Sequence, residues 1–238
     1  MIPGRLSNPN GIESEVSIDC GDALLPGTLF VPERATSIVL FAHGSGSSRR
    51  SPRNRYVAEA IQAQGIATLL FDLLTREEES VDERTAELRF HIPFLAERLI
   101  GASHWVMQHP ELERFAIGYF GASTGAGAAL VSAARLPNIV RAVVSRGGRP
   151  DLAGDALRSV VAPTLLIVGG DDEPVIRMNQ TALAKLKCPE KKLVVLPGAT
   201  HLFEEPGTLE EVALLAVGWF AEYLATTRRA HAATRHQL

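Results

Sequence analysis

Short apolar runs alternate with longer segments of helical periodicity along most of this chain. The runs are SIVLFA (37–42), ATLLF (67–71), FAIGYF (115–120), RAVVS (141–145), PTLLIVG (163–169) and KLVVL (192–196). Helical patterns lie between and after them, at about 52–64, 93–108, 126–136, 175–186 and from 208 onward. Alternating strand and helix signals predict an α/β fold, with a mostly parallel sheet that helices cover on both faces.

The two ends of the chain differ from this alternating part. Two strand-like segments, 15–19 and 24–31, flank a short turn and predict an antiparallel edge of the sheet. Beyond about residue 228 the sequence is polar and basic without periodicity, which indicates a flexible tail. Since no repeat or linker interrupts the pattern, we expect one domain over residues 1–238, with about 228–238 as the tail.

Local signals also predict helix ends. Ser51 followed by Pro52 is typical of an N-cap with proline in the first turn, and Gly65 suits the end of the same helix. The tetrapeptide 208–211 (TLEE) predicts a capping box at the last helix. The acidic segment 76–87 follows the strand at 67–71; we interpret it as a solvated charged loop, with a flap over the site as the alternative.

Composition narrows the possible partners. The 238 residues carry a net charge of -3 and are 46% hydrophobic, which argues against nucleic acid or an anionic membrane as the main partner. No apolar stretch approaches the ~18 residues of a membrane span, and the N-terminus lacks the order of a signal peptide. Two cysteines do not make a disulfide framework. We therefore expect a cytoplasmic protein.

The pentapeptide GASTG (121–125) carries the clearest chemical signal. It stands directly after the apolar run 115–120 and directly before an alanine-rich segment. This order predicts a strand, a sharp turn and a helix with Ser123 at the apex, which is the G-x-S-x-G nucleophile elbow. A serine acts as a nucleophile only beside a base and a site for negative charge. Ser123 is thus the candidate nucleophile.

The base and its orienting acid follow Ser123 in the order used by hydrolases with this elbow. Asp171 and Asp172 come after the run 163–169, and His201 comes after the run 192–196. All of them lie just past the carboxyl ends of predicted parallel strands, where the sites of open sheets form. His201 is the candidate base, and either aspartate can serve as the acid on this evidence.

An oxyanion hole requires two backbone N–H groups. One comes from the residue after the nucleophile, here Thr124, at the start of a helix whose dipole favours negative charge. The other comes from the loop after an upstream strand, and the segment HGSGSS (43–48) occupies that place. We expect Ser45 to provide it, with His43 as a structural support.

These motifs resemble the α/β-hydrolases, specifically their small dienelactone-hydrolase-like branch. The resemblance rests on FAHGSGSSRRSPRNRYVAE, GYFGASTGAGAAL, PTLLIVGGDDEPV and LPGATHLFEEPGTLEEV, which extend from about residue 38 to about residue 224. It implies an α/β-hydrolase fold, and the connection 146–162 is too short for a large cap domain. The family places the acid three residues after Gly169, which selects Asp172. Similar hydrolases also occur in bacteria joined to a phosphoribosyltransferase domain, which this sequence does not show.

Two departures from true dienelactone hydrolases change the expected chemistry. Their elbow carries cysteine where this chain has Ser123, and their post-strand loop carries a glutamate where this chain reads AHGSG. The resemblance therefore implies a serine esterase acting on a small-molecule carboxylic ester or lactone. Arginines bind a substrate carboxylate in the dienelactone enzymes, and Arg146 and Arg49 are the candidates here. Pairing of Arg146 with Asp151 is the structural alternative.

Other functions fit the sequence less well. A thioesterase or acyltransferase would differ only in the leaving group or the acceptor, and a non-catalytic binding protein would not need an intact triad. The cluster 171–173 (DDE) lacks a second group of metal ligands. The glycines 121, 125 and 127 lie too late in the chain for a dinucleotide loop, and no Tyr-x-x-x-Lys follows. We therefore expect no metal and no cofactor.

Overall fold

The computed structural model describes residues 10–224, which form eight strands, six α-helices and two 3₁₀ segments. The strands are Gly11–Asp19 (β1), Leu24–Pro32 (β2), Ser37–Ala42 (β3), Ala67–Phe71 (β4), Ala116–Ala122 (β5), Val140–Arg146 (β6), Thr164–Gly169 (β7) and Lys191–Leu196 (β8). The α-helices are Pro52–Gln62 (α1), Arg76–Thr85 (α2), Ile92–Gln108 (α3), Thr124–Arg135 (α4), Glu173–Lys185 (α5) and Thr208–Leu224 (α6). The 3₁₀ segments are Leu88–Phe90 and Pro150–Ser159. The predicted tail lies outside the described residues.

All eight strands belong to one sheet, in the order β1-β2-β4-β3-β5-β6-β7-β8. β1 pairs with β2 and β2 pairs with β4 in antiparallel register, whereas the remaining neighbours are parallel. The predicted α/β architecture with an antiparallel edge is confirmed. The connection between β6 and β7 holds only the short 3₁₀ segment, so no cap domain is inserted there.

Two apolar clusters cover the two faces of the sheet. Adjacent residues on β5 show the alternation, because Tyr119 belongs to the cluster under α3 and α4 and Phe120 to the cluster under α1 and α6. Both side chains are fully buried, as is Phe220 of α6. The strands are nearly continuous apolar runs because both of their faces are covered.

The segment predicted as a charged loop is instead the helix α2, so that interpretation was wrong. Its N-cap Thr75 accepts from the backbone N–H of Glu78, and the Glu78 carboxylate accepts from the backbone N–H of Thr75. Buried Asp82 then accepts from the backbone N–H groups of Leu88 and Arg89 and pairs with the Arg89 side chain. Polar contacts hold α2 in place, which is why hydrophobic periodicity did not reveal it.

The predicted ends of two other helices had different outcomes. Ser51 caps α1 by accepting from the backbone N–H of Asn54, and Pro52 opens the helix as expected. Thr208 does not form the predicted capping box. It is the first residue of α6, and its hydroxyl donates to the carbonyl of Glu205 at 2.8 Å.

Among residues 10–224, no helix has the length and apolar character needed to cross a membrane.

Candidate active site

Ser123 lies at the junction of β5 and α4, where the backbone turns sharply. Its φ of 50° and ψ of -121° are unfavourable for a residue with a side chain. The turn is tight because a Cβ on Gly121 would lie 2.5 Å from Cα of Ala126, and one on Gly125 would lie 2.2 Å from the carbonyl oxygen of Ala42. Glycine at both positions permits this close packing, and Ser123 projects at the carboxyl edge of the sheet.

Two loops at the same edge bring an imidazole and a carboxylate to this serine. His201 follows β8, and its Nε2 lies 3.4 Å from Oγ of Ser123. Its Nδ1 lies 2.6 Å from Oδ2 of Asp172, which follows β7. Asp171 takes no part in this contact; it is exposed, and its backbone N–H donates to the carbonyl of Ala199.

The histidine loop is fixed by a contact that the sequence did not predict. The backbone N–H and the hydroxyl of Thr200 both donate to the carboxylate of Glu205, at 3.1 and 2.6 Å. The Thr200 hydroxyl, together with nearby backbone N–H groups, lowers the pKa of Glu205. An ionised Glu205 thus closes the loop that carries His201.

The loop after β3 reaches the elbow from the other side. The backbone N–H of Ser45 donates to Oγ1 of Thr124 at 2.9 Å, so the two predicted oxyanion residues are in direct contact. Thr124 is buried and is the first residue of α4, where backbone N–H groups have no partner within the helix. The structure thus brings Ser45 and Thr124 to the nucleophile, although one of the two donors is already engaged.

His43 supports this loop and does not face the nucleophile. Its Nε2 accepts from the backbone N–H of Leu73 at 3.1 Å, which leaves Nδ1 as the protonated nitrogen, 3.0 Å from the carbonyl of Gly44. Desolvation lowers the pKa of His43 and outweighs the opposing effects of the Gly44 carbonyl and of nearby carboxylates. A neutral His43 therefore joins the oxyanion loop to the end of β4.

Ser123 and His201 open into a cavity of about 230 Å³, here called the catalytic cavity. Its wall includes Arg146 and Asn54, which sit at the end of β6 and in the first turn of α1. Arg146 is only 6% exposed, and its one described side-chain hydrogen bond runs from Nη2 to Oδ1 of Asn54 at 3.2 Å. Burial and the charge of neighbouring Arg53 lower the pKa of Arg146 to about 10.

Arg146 has no ion-pair partner among residues 10–224. The suggested pairing with Asp151 does not occur, because Asp151 forms a bidentate pair with Arg149. Arg53 also lines the catalytic cavity and pairs with the exposed Glu204 at 2.9 Å. The sequence analysis did not identify Asn54. This asparagine lies in the first turn of α1 and is buried, and a polar residue within the predicted helix was its only signal in the sequence.

Arg49 lies away from this cavity. Its guanidinium pairs with Glu15 at 2.8 Å and with Asp72 at 3.0 Å, and its backbone N–H also donates to Asp72. The structure therefore brings Arg146 to Ser123 but not Arg49. The carboxylates of Glu15 and Asp72 neutralise the charge of Arg49.

A second cavity of about 250 Å³ lies across the oxyanion loop, under α2. Gly44, Ser45 and Ser47 border both cavities, while Thr124 borders only this second one. Its remaining wall combines apolar and charged side chains, namely Leu73, Leu74, Leu95, Asp72, Glu79, Asp82, Glu83 and Arg89. The acidic segment 76–87 thus borders the site as a fixed helix.

Comparison with known proteins identifies the family and the fold. The sequence model of the dienelactone hydrolase family matches residues 25–227. A solved dienelactone hydrolase from Anabaena variabilis is 60% identical and gives a TM-score of 0.88, with 90% of this chain and 99% of that chain covered. A serine hydrolase without a lid from Xanthomonas campestris shares the fold at 19% identity, with a TM-score of 0.70 over 89% of this chain and 95% of that one.

A curated relative carries a different name. The protein called "Putative phosphoribosyl transferase Rv0571c" from Mycobacterium tuberculosis is 59% identical over 214 residues, which are 89% of this chain and 47% of that protein. The chain therefore spans about half the length of this relative. The family match and the shared fold cover most of the described residues and include the elbow, the histidine loop and the oxyanion loop. This chain belongs to the dienelactone hydrolase family.

Proposed function

We propose that this protein is a serine hydrolase that cleaves a carboxylic ester or lactone through an acyl-enzyme. The contact of His201 with Ser123 on one ring nitrogen and with Asp172 on the other carries the proposal. The 3.4 Å between Nε2 and Oγ is long for a hydrogen bond, but such contacts are often loose before substrate binds. The esterase folds among the structural relatives agree with this reaction class.

In the proposed reaction, Oγ of Ser123 attacks the carbonyl carbon while its proton passes to Nε2 of His201. Asp172 accepts from Nδ1–H, holds the reactive tautomer and stabilises the imidazolium. The backbone N–H groups of Thr124 and Ser45 bind the oxyanion of the tetrahedral intermediate. His201 then protonates the departing alkoxide, and in the second half it activates water, which releases the acid and regenerates Ser123.

A fluorophosphonate probe tests this proposal directly, because it forms a covalent bond only with an activated serine. We expect the wild type to be labelled and Ser123→Ala to stay unlabelled with an unchanged melting temperature. Unlabelled wild-type protein would favour the alternative of a binding protein on a hydrolase scaffold. A parallel panel of aryl esters, lactones and thioesters would separate an esterase from a thioesterase.

For the substrate, we propose an ester that bears a carboxylate. Arg146 is a buried guanidinium without a carboxylate partner among the described residues, and it borders the same cavity as Ser123. Buried charges are ordinarily paired, and a planar guanidinium suits bidentate binding of a carboxylate. Arg49 is left out of this proposal because Glu15 and Asp72 already neutralise it.

The transferase name of the curated relative does not alter the proposal. That name describes a protein about twice as long, and this chain itself matches the dienelactone hydrolase family over residues 25–227. For location, we infer the cytoplasm, since Cys20 and Cys188 carry free thiols and reduced thiols are typical of that compartment. Cell fractionation would test this.

A further inference from the structure

The hydrogen bond between Ser45 and Thr124 concerns the oxyanion hole itself. The donor is the backbone N–H of Ser45, which is one of the two groups proposed to bind the oxyanion. The acceptor is the Thr124 hydroxyl at 2.9 Å, on a side chain that is 2% exposed. Of the two proposed donors, the Ser45 N–H is thus engaged in this conformation. The Thr124 backbone N–H is at the start of α4, where N–H groups have no partner within the helix.

This contact affects the reaction because the two states compete for the same donor. An oxyanion hole accelerates a reaction when its donors already point at the position where charge develops. A bond that exists in the free protein and is lost in the transition state raises the barrier. The Ser45 N–H must therefore leave, or share, the Thr124 hydroxyl before it stabilises the intermediate.

The surroundings of Thr124 allow this exchange. Thr124 borders the second cavity of about 250 Å³, beside the oxyanion loop. Space is therefore present beside Thr124, on the side of the oxyanion loop that faces α2. The neighbouring loop also contains Gly44 and Gly46, the latter with a φ of +65°, so its conformation depends on backbone contacts such as this one.

We propose that the Thr124 hydroxyl occupies the oxyanion hole of the free protein, and that its release from Ser45 is a step of each acyl transfer. This inference rests on the proposed hydrolase function and extends it. Thr124 thereby acts twice: its backbone N–H contacts the oxyanion, and its side chain controls the availability of the second donor.

Two substitutions at this one position isolate the hydroxyl. Thr124→Ser removes the methyl group and keeps the hydroxyl, whereas Thr124→Ala removes both, so their difference reports the hydroxyl alone. We expect Thr124→Ala to exceed Thr124→Ser about fivefold in kcat for 4-nitrophenyl acetate, with KM unchanged. A fivefold change corresponds to about 1 kcal/mol, which is the size of one neutral hydrogen bond.

The second-order rate of labelling by the fluorophosphonate probe should rise by the same factor, because phosphonylation also places negative charge in the oxyanion hole. Melting temperatures of both variants check that each is folded. A Thr124→Ala rate equal to or below that of Thr124→Ser would overturn the inference, and would assign the hydroxyl to holding the loop in its working position. If the wild type is neither labelled nor active, the proposed function itself fails, and this inference fails with it.

Discussion

Arg146 gives the sharpest test of what the catalytic cavity binds. Arg146→Gln removes the charge and keeps a polar side chain, and Arg141→Gln is the matched control, since Arg141 is an exposed arginine on the same strand. The two substrates should differ only in charge. Methyl hydrogen succinate and methyl levulinate meet this condition, because a carboxylate in one replaces a methyl ketone of equal size in the other.

The expected magnitude follows from the contacts of Arg146. Its guanidinium makes one described hydrogen bond, to Asn54, so it keeps donors that have no described partner. A hydrogen bond to a charged group contributes about 1.5–3 kcal/mol, which corresponds to roughly 10- to 150-fold in kcat/KM. Arg146→Gln should therefore lower kcat/KM for the succinate ester at least tenfold, mostly through KM, and leave the levulinate ester unchanged.

Stability separates binding from a structural role. Arg98 is also buried, but it pairs with Asp22 at 2.8 Å and with Glu78 at 2.5 Å. Arg98→Met leaves the partly buried Glu78 carboxylate without its cation, so this variant should unfold at a lower urea concentration than Arg146→Met. Arg146→Met removes an unpaired charge and should change the free energy of unfolding by less than about 2 kcal/mol.

Hydrolysis of both esters can be followed in a pH-stat, and unfolding in urea by circular dichroism. The reasoning about Arg146 is refuted if Arg146→Gln slows both esters equally, or if Arg146→Met loses as much stability as Arg98→Met. Either result would make Arg146 a structural residue.

Three further predictions follow from the site. Ser123→Ala and His201→Ala should each lower kcat for an aryl ester roughly 10⁴-fold or more, and Asp172→Asn should lower it somewhat less. If Asp172→Asn keeps near-normal turnover while Asp171→Asn is inactive, Asp171 is the acid. Short acyl chains should be preferred, since the catalytic cavity is about 230 Å³ and each further buried CH₂ contributes only about 0.8 kcal/mol; a steady rise in kcat/KM from acetyl to dodecanoyl esters would contradict this. Because the pKa of His43 is lowered in the folded protein, the unfolded chain protonates this histidine at a higher pH than the folded protein does. The stabilisation from neutral His43 is therefore present above the unfolded pKa of about 6.5 and declines below it, by up to about 1.4 kcal/mol per pH unit. Urea titrations at pH 7, 6 and 5 should show this decline in the wild type. The His43→Gln variant should not show it.

Much of the sheet and the meeting of the site residues could be predicted because their signals are local. Each of Ser123, Asp172 and His201 lies within a few residues of the end of a strand, and parallel strands bring their carboxyl ends to one edge. Once the runs are identified as parallel strands in one sheet, the proximity of the three residues follows from topology. The choice of Asp172 over its neighbour did not follow in this way, since it came from the resemblance to a family.

The helix α2 shows what local signals leave out. Its capping box, Thr75 with Glu78, was present in the sequence, but no apolar helical stripe follows it. Glu78 also pairs with Arg98, which lies 20 residues further along the chain on α3. A polar helix of this kind is stabilised by long-range ion pairs, and periodicity cannot report a partner at that distance.

Arg49 and Arg53, which follow the oxyanion loop, show the same limit at the scale of side chains. Arg49 and Arg53 are four residues apart, yet Arg49 precedes the N-cap of α1 and Arg53 lies in its first turn. Because the backbone changes conformation where the helix starts, the two side chains extend in different directions. Arg49 meets Glu15 of β1, while Arg53 meets Glu204 and borders the catalytic cavity. Both carboxylates are distant in sequence, so only the assembled fold decides which arginine is held away from the site and which borders it.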